Sequence, residues 1–223
     1  MILYLALTMI LLAAGGYLGL RYAQVYVTAI EKEAIPDWHT ALACLSGVFT
    51  MRESGSGVFS WELAYLLPAM LLAIILQDSA LQMVLLMMLM PLLVALWRID
   101  RRTYLLPDAL LSGVLLLGVL YAHTEHELWA RLILALLIYG VLRLLCRLYE
   151  ALRSRPSMGA GDIKLMGAWA IWIGIDYFLL FIAAAAVMTL LMALVLRIQT
   201  RVLAFGPSLI IAGVLTLALK SLL

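Results

Sequence analysis

The sequence predicts an all-α polytopic membrane protein, with about eight transmembrane helices and a short cytoplasmic loop after the first. Composition is the first reason: 66% of the 223 residues are hydrophobic and 13% are charged, roughly half the charge of a soluble domain. Mean hydropathy is +1.11. The second is run length, because apolar stretches near the ~20 residues that cross a bilayer as helix recur with short polar breaks. The third is that Lys and Arg gather at alternate breaks, as cytoplasmic ends require. A water-soluble fold is excluded, and the length leaves no room for a large soluble domain beside the bundle. A net charge of +2, with its cations scattered, makes no nucleic-acid footprint.

The first span covers about 1–20 and continues as helix to about 28. It lacks the basic start and small-residue cleavage site of a signal peptide, so it reads as retained. Residues 29–60, with Glu31, Lys32, Glu33, Pro36, Asp37, Trp38 and the stretch Ser54-Gly55-Ser56-Gly57, form the one sizeable loop. Further spans fall at 61–77, 79–98, 105–122, 128–149, 163–174, 177–196 and 203–222. Between the sixth and seventh spans the only break is Gly174-Ile175-Asp176. The chain is one domain, 1–223, made of the 29–60 loop and a helical bundle over 61–223. Arg98, Arg101, Arg102, Arg143, Arg147, Lys164, Arg197 and Arg201 fall on one side, against Arg131 and Lys220 on the other. Eight spans with both termini extracytoplasmic satisfy this bias at every loop; seven would put the 197–201 turn on the wrong side.

Ionisable residues at helix ends inside such a bundle are costly and mark function. Asp100, in Trp97-Arg98-Ile99-Asp100, ends the third span, and Asp162 closes Gly159-Ala160-Gly161-Asp162 before the sixth. Both belong to the cytoplasmic side, where helix packing can bring them together. Two close carboxyls sharing a proton can activate water and protonate a substrate carbonyl, which hydrolyses a peptide without metal or covalent intermediate. Gly159 and Gly161 allow a tight turn and the close approach of a substrate strand. Lys164 either adds positive charge there or marks the boundary. The plain alternatives are an N-cap for Asp162 and a boundary charge paired with Arg98 or Arg102 for Asp100.

Taken together, Ile99-Asp100 with Leu105-Leu106-Pro107-Asp108, then Gly159-Ala160-Gly161-Asp162-Ile163-Lys164-Leu165, then Phe205-Gly206-Pro207-Ser208 resemble the bacterial type IV prepilin peptidases, GxGD-type intramembrane aspartyl proteases. The resemblance runs from about residue 58 to the end, and more loosely through Gly15-Gly16-Tyr17-Leu18. It implies that Asp100 and Asp162 are catalytic, and that Asp108 occupies a family position other than the catalytic one. Glu62, in Trp61-Glu62-Leu63, is similar to the family's Val-Glu-Leu and is either a polar residue near the site or an interfacial charge. The implied activity is removal of a short basic leader, after a glycine, from pilin or pseudopilin precursors at the cytoplasmic face of the inner membrane. The implied partners are that precursor and membrane lipid. Many members also N-methylate the new terminus with S-adenosylmethionine and carry two CxxC pairs in the first loop. Here that loop offers Cys44 and His39, so a four-thiolate zinc site cannot form. Methyl transfer is left open, and no metal is expected.

Other polar groups have simpler readings. His123, Glu125, His126 and Glu127 read as an exposed extracytoplasmic turn without a closed ligand set. Ser157 and Ser208 have no histidine nearby in sequence to activate them. Arg143, Arg147, Arg153 and Arg155 read as anchors to anionic lipid, and the 12 methionines as packing residues. The competing functions are a proton-coupled transporter, which needs acids near the midplane and matching repeats, and a non-enzymatic membrane subunit of a pilus or secretion assembly.

Overall fold

A computed structural model describes residues 2–31, 44, 61–75, 77, 79–153, 157–195 and 205–222. Among them the structure is all helical: α1 Ile2–Glu31, α2 Trp61–Ile75, α3 Ala80–Thr103, α4 Asp108–Thr124, α5 Leu128–Arg153, α6 Ala160–Ile173, α7 Ile175–Val195 and α8 Gly206–Lys220. Among the described residues, three helices are long and apolar enough to cross a membrane, over Ala80–Thr103, Leu128–Arg153 and Ile175–Leu194. Shorter apolar helices cover Leu66–Ile75, Asp108–Thr124 and Gly206–Lys220. The chain is a membrane protein. The 29–60 loop lies outside the described residues, apart from the end of α1 and the buried Cys44.

Helix α6 is the hub of the bundle. Ile163 and the whole run from Leu165 to Ile173 are buried, and α4, α5, α7 and α8 all pack on it. A helix apolar on every side belongs in the interior. Its outer neighbours invert the soluble pattern: α5 buries only Arg131 and Ala135, and α7 turns Phe178, Phe181 and Ala185 inward while Leu179, Leu190 and Leu194 face out. Outward Leu costs nothing against lipid tails, which are equally apolar. On the other side α1 lies along α3, and Gly15 and Gly19, spaced as in GxxxG, meet it at Pro91. A Cβ at residue 19 would stand 2.3 Å from the Pro91 carbonyl oxygen, so only glycine permits this approach.

Helix boundaries depart from the hydropathy runs where backbone chemistry intervenes. Helix α3 continues through its arginines to Thr103 and ends at Tyr104, which has φ 55° and returns its N–H to the Asp100 carbonyl, a left-handed cap. Pro107 then precedes α4, which starts at Asp108 and not at 105. The thin break at Gly174 is a true one: φ 81° and ψ 177° suit glycine alone, and α7 begins at the next residue. Helix α6 starts at Ala160, earlier than its apolar run, and has 14 residues, about 21 Å at 1.5 Å per residue. It is therefore too short to cross a ~30 Å hydrocarbon core by itself.

Candidate active site

Asp100 is one turn from the end of α3 and only 4% exposed. Its carboxylate accepts a hydrogen bond from the Gly206 backbone N–H, Oδ2 to N 3.1 Å. That N–H is one of the donors left free in the first turn of α8, and a buried carboxylate is a natural acceptor for it. The contact needs glycine, because a Cβ at residue 206 would lie 2.6 Å from Oδ2. Among the described residues Asp100 makes no ion pair with Arg98 or Arg102, so the boundary-charge alternative does not describe it.

Asp162 occupies the third position of α6. The N-cap is Gly159, with no side-chain cap, so Asp162 is not the capping residue. Its carboxyl lies within reach of the Asp100 charge, and no described residue donates a hydrogen bond to it. The end of α3 and the starts of α6 and α8 thus meet around two carboxyls. Chemically, two neighbouring carboxyls can exchange protons with a bound molecule.

The supporting residues divide. Packing calls for glycine at 161, because a Cβ there would stand 2.8 Å from Leu106 Cβ. At Gly159, a Cβ would crowd Asp162 Oδ2 at 3.1 Å, and neither glycine has a left-handed backbone. Lys164 pairs with Asp108 at 2.6 Å, at an exposed position. That pair ties the start of α4 to the first turn of α6. The backbone of Glu62 belongs to α2, while its side chain is outside the described residues. Gly206 went unassigned in the sequence, although the Phe-Gly-Pro-Ser motif contains it, because its role appears only when α8 meets α3. Ser208 is fully buried, with its hydroxyl on Met192 sulfur at 3.5 Å.

The opposite end of α6 corrects the reading of Glu125 as part of an exposed turn, since its side chain is 20% exposed, while Glu127 stays exposed at 56%. Arg131, 3% exposed, donates to the Ile171 and Trp172 carbonyls at 3.3 Å each, to Glu127 at 2.7 Å and to Glu125. Lys220 Nζ reaches the same Glu125 Oε2 at 2.6 Å. Burial pushes the Glu125 carboxyl up, but the Lys220 hydrogen bond and the Lys220 and Arg131 charges outweigh it and hold it below its ordinary value. Beside this cluster Gln77 donates to Ser221 at 2.8 Å and accepts from Tyr121 at 3.4 Å. No group of three or more metal-ligating side chains occurs among the described residues.

Residues 87–194, which hold Asp100, Asp108 and Asp162, match the type IV leader peptidase family. Over that stretch the chain is similar to the type IV leader peptidase family. Curated relatives named prepilin leader peptidase/N-methyltransferase include one from Neisseria gonorrhoeae, 33% identical over 124 residues, covering 54% of this chain and 43% of that protein. One from Dichelobacter nodosus is 34% identical over 127 residues, 56% of this chain and 44% of the relative. One from Dickeya chrysanthemi is 35% identical over 136 residues, 58% and 48%. The match spans less than half the length of each relative. No solved structure matches the chain.

Proposed function

We propose that the chain is an aspartic endopeptidase of the membrane that removes the leader from prepilin or pseudopilin precursors. The observation that carries this is the meeting of Asp100 and Asp162 within electrostatic reach, inside the stretch that matches the leader peptidase family. One carboxylate takes a proton from water, which attacks the scissile carbonyl carbon. The other, protonated, gives its proton to the carbonyl oxygen, and collapse of the tetrahedral species delivers a proton to the departing amine. The Gly206 N–H fixes one oxygen of Asp100, which sets the direction of the other.

Gly159 and Gly161 keep the start of α6 close to Asp162 and Leu106, and the Lys164–Asp108 pair braces its outer edge. Glu62 is assigned to the same side. The basic bias orients this end toward the cytoplasm of the inner membrane, with both termini periplasmic. A precursor helix then stays in lipid while its basic leader is cut after a glycine. Proton transfer between carboxyls requires no metal or cofactor. S-adenosylmethionine enters only if the chain shares the methyl transfer in its relatives' names, to which no residue is assigned.

Coexpression with a prepilin, read by gel shift and mass of the mature N-terminus, tests the proposal. Cleavage by the wild type that vanishes in Asp162→Asn at equal membrane level is expected, and an added 14 Da would report methylation, as one CH₂ must. Cleavage that survives in Asp162→Asn would overturn the assignment and leave a transporter or an assembly subunit as the function to pursue.

A further inference from the structure

We infer that Glu125 is a positioning residue, one that pins the far ends of α6 and α8 and thereby sets the register in which their near ends present Asp162 and the Asp100–Gly206 bond. The inference rests on the peptidase reading only for its effect on rate. A single oxygen, Glu125 Oε2, takes both Arg131 Nη2 and Lys220 Nζ. Arg131 in turn holds the Ile171 and Trp172 carbonyls, the last turn of α6, and Lys220 is the last residue of α8. One carboxylate therefore joins the C-terminal ends of both helices through one cation each.

The N-terminal ends of these same helices form the candidate site. Helix α6 has 14 residues and carries Asp162 in its first turn; α8 has 15 and starts with Gly206. A helix hydrogen-bonded along its length is stiff on its axis, so an axial slip at one end reappears at the other. The two helices pack directly on each other, and a slip between them changes how Asp162 faces Asp100. Misplacement by about 1 Å can cost on the order of a hundredfold in rate. Glu127 supplies the control: it also pairs with Arg131 at 2.7 Å but is 56% exposed, and it meets Lys220 of α8 through charge alone, whereas Glu125 holds Lys220 by a hydrogen bond.

The test uses the full chain in proteoliposomes, with Cys44 and Cys146 replaced by Ser and spin labels on cysteines at Ala160 and Phe205, beside the starts of α6 and α8. Glu125→Gln is expected to shift or broaden the distance distribution, and in unlabelled protein to lower kcat for a prepilin about tenfold with KM unchanged. Glu125→Asp should recover most of both, and Glu127→Gln should change neither. An unchanged distance distribution in Glu125→Gln, an unchanged kcat, or an equal loss in Glu127→Gln overturns the inference. Should Glu125→Gln not accumulate, Lys220→Met severs the α8 half alone and is read in the same way. A wild type that cleaves no prepilin strikes the peptidase reading, while the distance measurement still decides whether the pin exists.

Discussion

At the C-terminal end of α6, the charges of Glu125, Glu127, Arg131 and Lys220 answer one another, and the last carbonyls of the helix have a buried guanidinium to bond. At its N-terminal end Asp162 has another carboxyl for a neighbour, and Asp100 holds a single backbone N–H. The same short helix thus ends in a satisfied polar cluster on one side and, on the other, in an acid that faces a second acid from α3. Two carboxyls held near each other disfavour ionisation of both, and the buried packing of α6 from Leu165 to Ile173 holds its start in place against that cost. Stability and chemistry are separated by the length of α6.

The largest expected effect that tests this division is on stability. Arg131→Met leaves Glu125 with Lys220 as its one hydrogen-bonded cation and the α6 carbonyls without their guanidinium, and should cost about 3–5 kcal/mol, read as earlier unfolding of the detergent-solubilised chain on heating. A cost under about 1 kcal/mol would mean that the far end holds little.

Gly206→Ala reverses the pattern. Its Cβ would lie 2.6 Å from Asp100 Oδ2 and push the acid aside, so leader cleavage should fall about ten- to a hundredfold while the unfolding temperature moves little. Smaller still is Asp108→Asn, which removes the exposed Lys164 pair. It should change stability by less than about 1 kcal/mol and leave cleavage within about twofold, since neither group meets the two acids.

The smallest effect is a pH dependence confined to the far end. Glu125 is held below its ordinary value by Lys220 and Arg131, so its ionised form is stabilised by folding. That contribution is present above the unfolded value of about 4.3 and disappears as pH falls through the lowered folded value. The stability gap between wild type and Glu125→Gln should accordingly narrow below about pH 4, measured by thermal unfolding across pH. A gap constant across that range would show that Glu125 carries no net charge interaction.

Much of the bundle was legible because a hydrocarbon core imposes a length on apolar runs, and Asp100 and Asp162 stood out because acids are rare in such runs. The helix ends were less legible. Residues Arg98–Thr103 read as a polar boundary, yet they stay helical until Tyr104 turns left-handed, and α6 gathers Ala160-Gly161-Asp162 into its first turn. The far-end cluster was hidden for a different reason. Glu125 and Lys220 are separated by most of the second half of the chain, and each alone resembles an interfacial charge. Gly206 shares that difficulty: a glycine before a proline looks like a helix start, and its contact with a carboxylate exists only after α3 and α8 pack. The sequence shows which groups are expensive, and the fold shows which of them are compensated.

A mutant cycle on the two acids tests the central claim most directly: cleavage of a prepilin by Asp100→Asn, Asp162→Asn and the double variant, at matched membrane levels. If the carboxyls act as one unit, each single change should reduce cleavage to the level of the double, by a factor of about 10²–10⁴ or more. Substantial cleavage by either single variant, or losses that multiply in the double, would contradict the shared mechanism.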